Sequence, residues 1–198
     1  MDIKTAFQLA EQEKSKIPHE YITKLTGLSS PKVWHLLNNL CLDKAVYLEV
    51  GTYMGSSLLA ATYGHNIKPV AIDNFCMKPT TRNHFFQNVK HMKNLQFIEN
   101  DCFKVDINTI PKVDTYFFDG EHTFDAQYKG LVHFIDAMHD EFIYIVDDWN
   151  NSPVREGTYK AIEDLKLTVL EFEERKFTTM KDKAGWWCGI VCFKLKKA

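Results

Sequence analysis

The feature that most constrains this chain is a rhythm that sets in near residue 45. Short runs of β-branched and aromatic residues alternate there with longer stretches whose apolar positions recur at helical spacing. AVYLEV (45–50), PVAID (69–73), LQFIEN (95–100), DTYFFD (114–119) and FIYIVDD (142–148) read as strands. SSLLAATYG, RNHFFQNVKHM and FDAQYKGLVHFIDAMH read as the helices between them. Such alternation predicts βα units and a mainly parallel sheet flanked by helices. After PVREGTYKAIEDLK, a further helix, LTVLEFEE and WWCGIVCFKL follow without a helix between them, which predicts an antiparallel pair. Ahead of the rhythm, TAFQLAEQEKSKI reads as a helix, and in SSPKVWHLLNNLCL Ser30 is placed to cap a second helix with Pro31 at its first position. The organisation expected is one α/β domain over residues 1–198, with 1–40 as a helical cap and 41–198 as the core.

With 198 residues, 45% of them hydrophobic, the chain can bury one sizeable core. A net charge of -2 and the lack of a long basic run speak against a nucleic-acid or anionic-membrane partner. No stretch approaches the roughly 20 apolar residues of a membrane span, and the first residues carry no apolar signal region, so a soluble cytoplasmic protein is expected. Five cysteines without a CxxC pair suggest reduced thiols, and Cys188 and Cys192 would share one face of a strand. Aromatics in the first helices or the last loop offer a dimer face, so a homo-oligomer stays open.

In open α/β sheets ligands bind at the carboxyl ends of the strands. Here the first strand ends in Glu49-Val50-Gly51 and turns through Thr52, Tyr53 and Gly55 into a helix opening at Ser56. Gly51 and Gly55 can take positive φ and let a ligand approach the backbone. A dinucleotide fingerprint would place glycine where Glu49 stands, and an acid there repels phosphate. An acid suits a cationic ligand. The second strand delivers Asp73, followed by Asn74, 73 − 51 = 22 residues past Gly51. The third delivers Asp101, with Cys102 and Phe103 beside it and Asn100 as an alternative. Isolated acids of this kind also serve as turn caps. The fourth ends in Asp119-Gly120-Glu121-His122 and the fifth in Asp147-Asp148. Three carboxylates on one rim repel unless a cation joins them, and hard oxygen donors select Mg²⁺, Ca²⁺ or Mn²⁺. The same aspartates can cap the helix that starts near Pro153.

The ExGxxxG arrangement of Glu49, Gly51 and Gly55 resembles motif I of class I S-adenosylmethionine-dependent methyltransferases. Asp119 with Asp147-Asp148 resembles the metal-dependent O-methyltransferases of the catechol and macrolide-sugar type, and DGEHTFDAQYKGL resembles a segment of the type 24 group. The resemblance implies a Rossmann-like sheet of order 3-2-1-4-5-7-6 with the seventh strand antiparallel. It implies S-adenosylmethionine on Glu49, Gly51, Thr52, Tyr53, Gly55, Ser56, Asp73, Asn74, Asp101, Cys102, Asp119 and His122. Mg²⁺ would sit on Asp119, Asp147 and Asp148, and the acceptor would be a hydroxylated small molecule such as a sugar or phenol. The catalytic set would be His122, Asp119 and Asp148. His122 departs from the family, which carries a lysine base there; Asp148 or Glu121 remain alternatives for that role. Metal-free N- or O-methylation, an NAD-type oxidoreductase and a non-catalytic cofactor-binding protein are the rival readings. Trp149 is expected to wall the pocket. Trp186-Trp187 sit in a loop between the last two strands that is expected to border the substrate, where they can stack on a sugar or phenyl ring or pack the antiparallel edge. Residues 75–86, with Met77, Arg82 and His84, are expected as a lid.

Overall fold

The computed structural model describes residues 1–176 and 181–198. Helices α1 (Ile3–Glu11), α2 (His19–Ile22) and α3 (Pro31–Leu40) come first. They are followed by β1 (Val46–Val50), α4 (Ser56–Thr62), β2 (Lys68–Ile72), α5 (Thr81–Val89), β3 (Gln96–Ile98), β4 (Val113–Phe118) and α6 (Phe124–Phe134). Then come β5 (Met138–Asp147), α7 (Ser152–Asp164), β6 (Thr168–Arg175) and β7 (Ile190–Lys196). One seven-stranded sheet runs in the order β3-β2-β1-β4-β5-β7-β6, with β7 antiparallel to both neighbours and the other neighbouring pairs parallel. This is the topology expected. Val50 lies opposite both Ile72 and Phe118, so β1, β2 and β4 end level and present their last residues on one rim.

Local chemistry explains most boundaries. Ser30 caps α3 by accepting the Val33 N–H, with Pro31 in the first turn, and Thr123 caps α6 by accepting the Ala126 N–H. The first helix is shorter than its apolar pattern, because Glu13 takes a left-handed φ of 52° and the chain leaves helical geometry. The helix of residues 124–139 also stops early: Met138 pairs with Val113 and opens β5, so its apolar side chain joins the sheet core instead of a helix stripe. β7 starts at Ile190 rather than Trp186, since Trp187 (φ 58°) and Gly189 (φ 85°) form a turn. Cys188 therefore belongs to a loop and not to the strand face of Cys192.

The sheet is buried on both sides. Phe7, Leu36, Leu58 and Phe85 cover one face, and Leu131, Phe134, Val154 and Ala161 the other. Fully burying one such side chain contributes about 1.5–3 kcal/mol. The N-terminal helices thus form part of the layer that covers one face of the sheet. They are stitched to the far strands by the Ile3 N–H on Glu171 (2.9 Å) and by Trp186 Nε1 on Glu11 (2.9 Å). Phe7, Trp34, Trp186 and Trp187 are all buried, while Tyr21 of α2 is half-buried. No helix among the described residues is long and apolar enough to cross a membrane.

Candidate functional site

A cavity of about 770 Å³ opens over the carboxyl ends of β2, β1, β4 and β5. Its size falls in the range of small-ligand sites. Gly51, Thr52, Tyr53, Ser56, Asp73, Asn74, Asp101, Cys102, Asp119, His122, Asp147 and Asp148 all line it. Glu49 and Gly55, named with them from the sequence, do not.

The turn after β1 explains itself through contacts. Gly51 has φ 86°, and a Cβ on it would stand 1.9 Å from the carbonyl oxygen of Asp119, so no side chain fits. Tyr53 is also left-handed (φ 49°), and its N–H donates to Asp73 at 2.8 Å. Gly55 (φ 85°) precedes α4 and packs against Phe85 and Val89 instead of the cavity. Thr52 is buried with its Oγ1 unpartnered, although it lines the cavity.

Glu49 corrects the sequence reading. Its side chain is fully buried behind the cavity wall, accepting the Tyr47 hydroxyl and the Ser57 hydroxyl at 2.7 Å each. Burial pushes its pKa up to about 8, against the lowering effect of those two hydrogen bonds. Ser57, which donates to it, does line the cavity. Strand alternation is the reason, since residues 47 and 49 project to the same side and meet each other there.

At the next strand ends, Asp73 accepts the N–H groups of Tyr53 and Phe75, leaving lone pairs on both oxygens for a diol. Asp101 accepts the Phe103 N–H at 3.1 Å. Burial pushes the Cys102 thiol up to about 12, the neighbouring Asp101 adding to the shift, so it stands as a neutral wall.

The acid rim differs from expectation in its membership. Asp119, His122 and Asp148 each offer an atom within 4.8 Å of the others, the group of this kind found among the described residues. His122 Nε2 lies 3.1 Å from Asp148 and 3.5 Å from Asp119. Asp148 reaches inward because its backbone is left-handed (φ 53°). Asp147 is not in the group: it still pairs with Ile190 as the last residue of β5 and is only 3% exposed, with Oδ1 unpartnered. Burial, then the charges of Asp119 and Asp148, hold its carboxyl well above the usual range. Although 27% of the Asp119 side chain remains exposed, burial of its carboxyl, followed by Asp148, Glu49 and Asp73, moves it the same way.

Several wall residues had no sequence signal. Leu28 and Ser29 come from the loop before α3 and Cys188 from the loop after β6, where Lys181 and the expected Trp187 also line the cavity. The Cys188 thiol, pushed up to about 11 chiefly by burial, donates to Asp148. Trp187 does line the cavity, whereas Trp149 is a core residue packed on Tyr159 and Phe193. Of the expected lid, Met77 lines the cavity and is 70% exposed, while Arg82 is paired with Glu99 at 2.7 Å. Residues 177–180, part of the loop read as bordering the substrate, lie outside the described residues.

No family model and no curated protein matches the chain by sequence. Its fold matches many solved structures. TrmN from Thermus thermophilus superposes with a TM-score of 0.64 at 13% identity, over 89% of this chain and 52% of that one. The fold is that of the class I methyltransferases. Precorrin-6y C5,15-methyltransferase from Geobacter metallireducens gives 0.65 at 16% identity, over 88% and 92%. TrmK of M. capricolum, solved with S-adenosylhomocysteine, gives 0.58 at 12%, over 83% and 67%. The chain spans about half the length of the first of these. Proposed RNA and O-methyltransferases share the fold as well, so fold alone leaves the acceptor open.

Proposed function

We propose that the chain is an S-adenosylmethionine-dependent methyltransferase that methylates a hydroxyl of a small molecule with the help of a divalent cation such as Mg²⁺. The observation that carries this reading is one continuous cavity with two chemically distinct ends. At one end Asp73 and Asp101 stand beside the apolar Ile72 and Phe103, a setting for a ribose diol and a flat base. At the other Asp119, His122 and Asp148 converge.

The residues fit both groups. Buried polar atoms without protein partners, Thr52 Oγ1 and Asp147 Oδ1, belong to side chains of the wall, as expected where a polar ligand completes the hydrogen bonding. Two carboxylates and an imidazole within 4.8 Å suit a hard divalent cation held mainly by Asp119 and Asp148. When bound, S-adenosylmethionine supplies an electrophilic methyl group and the cation lowers the pKa of a coordinated hydroxyl. The chain's own residues do the rest. Asp73 fixes the Tyr53 turn, and Glu49 fixes Ser57 from below. His122 Nε2 takes the acceptor proton, and Asp148 at 3.1 Å steadies the imidazolium that results. Trp187 and Leu28 wall off water. Among the described wall residues Lys181 is the one permanent cation against six carboxylates, which favours a small neutral acceptor over a polyanion.

A second reading, metal-free transfer to oxygen or nitrogen, is favoured by His122 itself, whose Nε2 already lies within 3.5 Å of both acids. Calorimetry with S-adenosylhomocysteine tests the cofactor, and the absence of heat at millimolar protein would sink both readings. Labelled-methyl transfer to catechol and sugar diols, run in Mg²⁺ and in EDTA, separates them. Full turnover in EDTA selects the metal-free reading.

A further inference from the structure

The segment just before α3 is built into the cavity rather than laid over it. At Gly27 a Cβ would stand 2.0 Å from Ser56 Oγ, so the chain presses directly on the start of α4. Three residues on, Ser30 Oγ donates to the Gly185 carbonyl at 2.7 Å in a buried bond, which ties the segment to the loop carrying Trp187 and Cys188. Between these two anchors Leu28 and Ser29 face the cavity. Leu28 is 50% exposed, while Ser29 is 8% exposed and its Oγ has no partner. A buried hydroxyl left unpaired costs free energy unless a ligand completes it.

We propose that Ser29 is a cofactor-binding residue whose hydroxyl donates to the carboxylate of the cofactor's amino-acid end; the inference rests on the cofactor reading above. Its place two residues after Gly27, which presses on Ser56, decides the choice of ligand atom. That end of the cavity holds hydroxyls, those of Thr52 and Ser56 with Ser29 opposite, and a carboxylate needs such donors. The acids Asp119 and Asp148 gather with His122 past the ends of β4 and β5 and would repel it. Because Gly27 and Ser30 hold the segment from both sides, the hydroxyl is positioned before the ligand arrives, and little ordering is required on binding.

The test compares two ligands that share the adenosine and differ in the amino-acid end. S-adenosylhomocysteine carries the carboxylate, and 5′-methylthioadenosine lacks it. By calorimetry on the full chain, Ser29→Ala is expected to weaken S-adenosylhomocysteine about tenfold, the loss typical of one hydrogen bond to a charged group, and to leave 5′-methylthioadenosine unchanged. The ligand-free melting temperature should not fall, since no protein partner is lost. Ser29→Thr, which keeps the hydroxyl, should retain most of the affinity. Equal weakening of both ligands, or none, would overturn the proposal while wild-type binding upheld the cofactor reading. If the wild-type chain bound neither ligand, that reading and this inference would fall together.

Discussion

Asp73 accepts the backbone N–H of Tyr53 at 2.8 Å, so the carboxylate at the end of β2 fixes the turn at the end of β1. Its other oxygen accepts Phe75 N–H at 2.6 Å. Tyr53 (φ 49°) and Phe75 (φ 53°) are both left-handed, a conformation that costs a side-chain-bearing residue roughly 1–2 kcal/mol. One acid thus holds two strained turns, one after β1 and one after β2.

Asp73→Ala should therefore lose both stability and affinity. Removing an acceptor shared by two backbone donors is expected to cost about 2–3 kcal/mol in urea unfolding. S-adenosylhomocysteine binding should fall more than tenfold in calorimetry. Asp73→Asn keeps one acceptor oxygen and should recover part of each. Unchanged stability in the alanine variant would show that the turns hold themselves.

Gly51 makes a purely steric prediction. A Cβ there would lie 1.9 Å from the Asp119 carbonyl oxygen, where backbone cannot yield cheaply. Gly51→Ala is expected to destabilise by about 3 kcal/mol or more, adding the strain of φ 86° to the clash. At Gly64, also left-handed (φ 70°), the nearest neighbour is Lys16 Cβ at 3.2 Å, a contact that a shift of a few tenths of an ångström relieves. Gly64→Ala should cost only about 1 kcal/mol. Thermal melts of the two variants side by side check the difference.

Stability should depend on pH through Glu49. Its carboxyl is raised from 4.5 to about 8 by burial, so between those values the unfolded chain has ionised the group while the folded chain keeps it protonated. Folding then binds a proton, and stability falls as pH rises through this window. Asp119 and Asp147, also raised by burial, act in the same direction. Glu49→Gln keeps a group that can bond Tyr47 and Ser57 but cannot ionise. Urea unfolding from pH 5 to 9 should show a shallower decline in this variant than in the wild type; identical slopes would place the ionised carboxylate in the native state.

How far these features were legible follows from what strand ends and strand faces each reveal. Parallel strands deposit their last residues on one rim, so Asp73, Asp101 and Asp119 could be placed on it from their positions alone. Side-chain direction within a strand needs the two-residue alternation. Applied to Tyr47 and Glu49, it would have put the acid beside a tyrosine; applied to Ile143, Ile145 and Asp147, it would have sent Asp147 into the core layer that holds Ile145. Cys188 and Ser29 had no such signal. Each reaches the cavity through a contact more than a hundred residues away along the chain or through loop geometry, as the Ser30 to Gly185 bond illustrates.

The acid rim yields the last prediction, because the structure separates two neighbours that the sequence treats alike. Asp148 turns into the cavity through its left-handed backbone and meets Asp119 and His122, whereas Asp147 stays buried at the end of β5. If the cation is held by the converging group, Asp119→Asn and Asp148→Asn should each weaken Mn²⁺ binding more than tenfold, as followed by the loss of the free-ion paramagnetic signal. Asp147→Asn should leave it within about threefold, since that carboxyl lies outside the converging group. Because burial raises the pKa of that carboxyl, ionising it opposes folding, so the unfolding free energy of the variant at pH 8 should equal or exceed that of the wild type. The reverse pattern, with Asp147→Asn abolishing Mn²⁺ binding and Asp119→Asn leaving it intact, would return Asp147 to the ligand set. It would also require the end of β5 to rearrange when the ion binds, because the present backbone keeps that carboxyl 3% exposed.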